Sequence, residues 1–177
     1  MPALARPVSD ERDALLHFLA QHRDAIITAA FGLTEEQARS TPSASANSIA
    51  ALIQHGAATE RYWIDLMLRL ESVVPDDDDP QRFNVGPDVT VADLIADYRR
   101  CGEETEEIVA GLDDLELAVP LPAAPWFPPD GVVSARWVLF HLIQETCRHA
   151  GHADIIRETI DGANAFMLIA EAEAALV

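Results

Sequence analysis

The run from Arg136 to Glu158 contains no proline and repeats apolar residues at helical intervals, so it reads as one long helix. With about 3.6 residues per turn, successive side chains stand about 100° apart. Val138, Leu142, Ile156 and Ile160 then fall on one side, and a side of that kind faces a core. Glu145 and His149, one turn apart, lie inside the same sector, with His141 and His152 at its edge. A carboxylate and an imidazole on a core face need a partner, because an isolated charge taken out of water costs far more than a helix can tolerate. The expected partner is a metal ion, completed by His55 from an earlier helix.

At 177 residues the simplest reading is one domain, residues 1–177, large enough for a real core. The formal charge of -18 repels nucleic acid and anionic membranes, so neither is an expected partner. All 12 basic side chains are arginine, a compositional hint of a high-GC bacterial genome. Met1 to Pro7 has no apolar signal-peptide core, and no apolar run approaches membrane-spanning length, so a cytoplasmic location is expected. The two cysteines, Cys101 and Cys147, do not make a disulfide framework and read as small apolar filler in helices.

Taken in order, Ser9 precedes Asp10 and Glu11 as the cap of a first helix that stops near Phe31-Gly32. His17 and His22 on it read as solvated. Thr34-Glu35-Glu36-Gln37 gives one capped turn. Asn47 or Ser48 caps a second long helix whose apolar stripe runs through Ile49, Leu52, Ile53, Gly56, Trp63, Leu66, Met67 and Leu70, with His55 close to the stripe. Ser72 to Val89 is a loop, and its Asp76–Asp79 run lacks the Gly and closing Glu of a calcium loop, so it reads as a solvated linker. Thr90 caps a third helix with Val91, Leu94, Ile95, Tyr98, Ile108, Val109 and Leu112 inward and Glu103, Glu104, Glu106 and Glu107 outward. Asp113 to Val133 is a Pro-rich connection in which Trp126 and Phe127 either line a pocket mouth or plug a core. Ser134 caps the opening helix, which ends at Asp161-Gly162. Ala163 to Val177 suits a short extra helix. No stretch reads as a convincing strand. The fold class is therefore all-α, an antiparallel four-helix bundle with a short extra C-terminal helix.

Glu145-x-x-x-His149 stacks two ligands on one helix face. Gly151 follows, and a glycine inside a helix costs about 1 kcal/mol against alanine, which asks for a reason such as close packing. Three ligands of N and O type leave positions open for water or substrate, as in a catalytic site, and suit Zn, Ni, Fe or Mn. The residues alone leave a second reading equally open: a Glu145–His149 or Arg148–Glu145 pair with no ion.

The segments Leu52-Ile53-Gln54-His55 with Glu60-Arg61-Tyr62-Trp63, and His141-Leu142-Ile143-Gln144-Glu145-Thr146-Cys147-Arg148-His149-Ala150-Gly151-His152 onward to Ile160-Asp161-Gly162, resemble the DinB-like superfamily, and more narrowly its actinobacterial thiol-transferase branch. That resemblance implies a bundle of the DinB/YfiT-like type and a metal triad of one His on the second long helix and a pair on the last. Carried over, these are His55, Glu145 and His149. The family's usual pair is His-x-x-x-His; Glu at its first position is similar to mycothiol-dependent maleylpyruvate isomerase. His152 is the alternative ligand and otherwise the group that moves a proton. The implied activity is transfer of a low-molecular-weight thiol, mycothiol, to an electrophile, with a divalent metal ion favouring the thiolate. Two other readings fit the same residues: a metal-dependent hydrolase using bound water, and a non-enzymatic, stress-related binding protein. A homodimer through an exposed apolar stripe is a further expectation.

Overall fold

A computed structural model of the chain describes residues 6–69 and 83–175. The Asp76–Asp79 run, Leu70 and Met1 to Ala5 lie outside the described residues.

Local chemistry sets the helix starts. In α1 (Glu11–Ala29) the side chain of Asp10 accepts from the Asp13 amide, so the cap is Asp10 rather than Ser9. The short α2 (Glu35–Arg39) opens on a reciprocal box between Thr34 and Gln37. Ser48 begins α3 (Ile49–Arg69), its hydroxyl accepting from the Ala51 amide at 3.1 Å. Thr90 and Asp93 form the box of α4 (Val91–Ala110). Ser134 caps α5 (Ala135–Asp161), and Gly162, at φ 80° in the left-handed region, ends it. Asn164 caps α6 (Ala165–Ala174). Between α4 and α5 the Pro-rich connection holds a feature the sequence pattern did not reveal. The strands β1 (Ala118–Pro120) and β2 (Val132–Ser134) pair antiparallel, Val119 opposite Val133. Each is only three residues long, too short for a period-two pattern to register.

Two apolar clusters fill the bundle. One joins the end of α1 (Ile26, Ala30), the starts of α3 (Ile49, Ile53) and α4 (Leu94, Tyr98), and the end of α5 (Ala153, Ile156). The other joins the start of α1 (Leu15, Leu19), the ends of α3 (Trp63, Met67) and α4 (Val109), and the start of α5 (Val138, Leu142). Helices α1 and α5 therefore run one way, and α3 and α4 run the other. The ring of Phe83, the first described residue after α3, lies 4.7 Å from that of His55.

Arginine closes helix ends. Arg12 donates to the carbonyls of Val109 and Leu112 at 2.7 and 2.9 Å at the end of α4. Buried Arg157 donates to those of Ala29 and Phe31 at 2.9 and 2.6 Å at the end of α1. A forked guanidinium serves several terminal carbonyls at once.

Some side chains depart from expectation. A Cβ on Gly151 would meet nothing within 4 Å, so close packing is not why glycine stands there. Cys101 is buried as expected, but Cys147 is exposed. His22 is half-buried rather than solvated, because α6 folds back over α1 and encloses a cavity of ≈ 140 Å³ lined by His22, Asp154 and Phe166. Burial there holds the His22 imidazole below its ordinary range, and burial followed by Glu158 raises the Asp154 carboxyl. His17 is half-buried and accepts from the Arg6 amide at 3.0 Å. Among the described residues no helix is long and apolar enough to cross a membrane.

Candidate functional site

The site residues come from α3 and α5, which run antiparallel. On α5, His141, Glu145 and His149 are spaced four apart and share one stripe. The facing stripe of α3 carries His55, Thr59 and Trp63. His55 sits opposite His149 and Trp63 opposite His141, with ring centroids 4.8 and 4.6 Å apart.

His55 is buried, and its Nε2 lies 3.4 Å from the Thr59 hydroxyl one turn on. The His149 ring meets it edge to face at 88°. Both ring nitrogens of His149 are closed off from solvent. The Glu145 carboxylate approaches His149 Nε2 at 3.7 Å. His152 lies further along α5, exposed, its ring 6.1 Å from that of His149. His55, Glu145 and His149 thus meet in one seam, with His152 at its rim. Arg148 is exposed, and the neighbour of Glu145 is His149.

The donor set suits a divalent ion: two imidazoles facing each other across two helices, and a carboxylate one turn from the second. Among the described residues no three His, Cys, Asp or Glu side chains stand together as a ready-made ion site. The Glu145 carboxylate lies against His149 in a pairing geometry.

His141 forms the next turn of the same stripe. It stacks on Trp137 at 5.1 Å with 10° between the planes and meets Trp63 edge-on at 4.6 Å. Burial holds its imidazole below the ordinary range, with Glu145 opposing. Phe127 reaches Trp63 from the Pro-rich connection at 6.3 Å, while Trp126 beside it is 60% exposed. One aromatic of that connection therefore packs inward, and the other faces water.

A second buried polar feature joins α1 and α3. Arg23 on α1 and Glu60 on α3 form a buried bidentate pair at 2.7 and 3.2 Å. The guanidinium lies 5.8 Å from the centre of the Tyr98 ring. Burial weakens the charged form of Arg23, and Glu60 more than compensates, leaving it above its ordinary range. Burial, then Glu60, raises the Tyr98 phenol well above its usual value and pushes the Cys101 thiol up to about 12. Cys101 therefore remains a thiol at neutral pH and is no nucleophile. Two glycines make room for this layer. A Cβ on Gly56 would stand 2.6 Å from the Tyr98 hydroxyl, and one on Gly102 would stand 2.4 Å from Arg23 Nη1. The signal existed in the sequence: Arg23 and Glu60 occupy positions in the apolar repeats Leu15, Leu19, Ile26 and Ile53, Gly56, Trp63, with opposite charges.

Comparison with known proteins adds one finding. The family model described as Mycothiol-S-transferase matches residues 14–162, from the first turns of α1 to the glycine that ends α5. Among curated proteins, none matches the chain.

Proposed function

The chain belongs to the mycothiol S-transferase family, and we propose that it transfers mycothiol to a small electrophile at a divalent metal site held by His55, Glu145 and His149. The observation that carries this reading is the meeting of the His55 and His149 rings from two antiparallel helices, with the Glu145 carboxylate one turn away. Zn, Ni, Fe and Mn all suit such donors. When bound, a divalent ion supplies a lowered thiol pKa, so that the nucleophilic thiolate is available at neutral pH.

The protein's own residues supply orientation and proton transfer. Thr59 holds one nitrogen of His55, which fixes the ring, as partners behind metal-binding histidines do. Burial of both imidazoles limits water around the nucleophile. His152, at the rim and in solvent, takes the thiol proton and passes it outward. The buried Cys101 takes no part.

The test is elemental analysis of the native protein, with thiol consumption measured against an electrophile panel, for wild type, His55→Ala and His149→Ala. Both variants should lose bound metal and thiol transfer by more than the about 10- to 100-fold that outer partners cost. Added divalent ion should raise the melting temperature of wild type only. Full thiol transfer by a metal-free preparation would sink the proposal.

A further inference from the structure

Aromatic residues are only 6% of this chain, yet its three tryptophans fall in one connected cluster. Trp63 touches Trp137 at 5.7 Å and Phe127 at 6.3 Å, and Phe127 touches Trp126 at 6.3 Å. His141 lies between Trp63 and Trp137. Packing alone would draw such rings inward. Here Trp63 closes the bottom at 6% exposed, while Trp137 and Trp126 remain 37% and 60% exposed. Large rings held together and left in water mark a binding surface more often than a plug.

The cluster continues the site. Trp137, His141, Glu145 and His149 follow one another at four-residue steps along α5, a rise of about 6 Å per step. The aromatic surface thus begins one turn from Glu145. Its groups also set the charge it accepts. The indoles and phenyl ring are neutral, and the nearby Glu145 carboxylate disfavours anions.

We propose that Trp63, Trp137, His141 and Phe127 form the electrophile subsite, and that it takes an uncharged, planar, conjugated molecule stacked on Trp137. This deepens the thiol-transfer reading and rests on it for the reaction. With 1-chloro-2,4-dinitrobenzene as probe, the thiol sulfur forms a bond to the ring carbon. The carbon–chlorine bond breaks, chloride leaves with its electron pair, and the thiol proton goes to solvent.

Two measurements separate the subsite from the reaction. The first titrates 1,3-dinitrobenzene, which has the ring but no leaving group, against tryptophan fluorescence of wild type, Trp137→Leu and Phe127→Ala. Saturable quenching weakened about fivefold in Trp137→Leu is expected, the size of one aromatic contact. The Phe127→Ala variant, altered in the connection rather than in a bundle helix, guards against a misfolded Trp137→Leu and should weaken binding in the same direction. Linear quenching, or equal affinity in all three proteins, would overturn the subsite. The second compares kcat/KM for 1-chloro-2,4-dinitrobenzene and for iodoacetamide, which has no ring. Trp137→Leu should lower the first about fivefold more than the second; an equal change in both overturns the subsite. Saturable binding with no turnover of either compound would remove the thiol-transfer reading and keep the subsite.

Discussion

The Arg23–Glu60 layer and the Glu145–His149 seam use similar ingredients, a carboxylate facing a nitrogen group on the inner side of one bundle. In the layer, both partners are buried and joined by two hydrogen bonds, and two glycines clear the space around the guanidinium and the Tyr98 ring that it covers. In the seam, Glu145 is 29% exposed and stands 3.7 Å from His149, beyond hydrogen-bonding range. A Cβ on the nearby Gly151 would meet nothing within 4 Å. The layer joins α1, α3 and α4 through contacts among its own side chains. The seam holds its carboxylate and imidazole in looser contact, without a direct hydrogen bond between the two.

The contrast is breakable. Removing Arg23 should have the largest effect, since it strands the Glu60 carboxylate in the core; Arg23→Ala should cost about 3–5 kcal/mol by denaturant titration. The seam counterpart, Glu145→Gln, should cost less than about 1 kcal/mol while lowering metal content. If the two variants lost similar stability, the distinction between layer and seam would be wrong. Next in size is Gly56→Ala, where the added methyl runs into the Tyr98 hydroxyl. Overpacking of that kind should cost about 1–3 kcal/mol, and thermal unfolding would show it. The smallest effect belongs to Gly151→Ala, which fills open space in a helix interior and should add about 0.5–1 kcal/mol. Unchanged or lowered stability there would mean that the backbone near His152 needs glycine for a reason the contacts do not display.

How far the seam was legible in the sequence follows from where its information lies. The four-residue spacing of Glu145 and His149 is a within-helix property, and a helix fixes it. The joining of His55 to His149 was suggested by the nearness of His55 to an apolar stripe and strengthened by family resemblance, because periodicity cannot say which helix faces which. The role of Trp126 and Phe127 was undecidable from a Pro-rich stretch, since a loop's path is set by what it docks against. Gly151 was misread because a helical glycine signals close packing only when a neighbour is actually there. Arg23 and Glu60 were passed over individually; an ion pair across two helices becomes visible only when both apolar repeats are laid side by side.

By itself the sequence determined the helices, most of their caps and the faces they bury, because capping, periodicity and proline placement act within a few residues. Thr34, Thr90 and Ser134 start the helices their spacing predicts, and of the two candidates Asn47 and Ser48 it is Ser48 that starts α3. Only the tertiary structure decided that α3 and α4 run the same way, that Arg23 meets Glu60, and that the imidazole of one helix lies edge-on to that of another. Those outcomes depend on how apolar faces are shared among four helices at once, and no local stretch of chain contains that information.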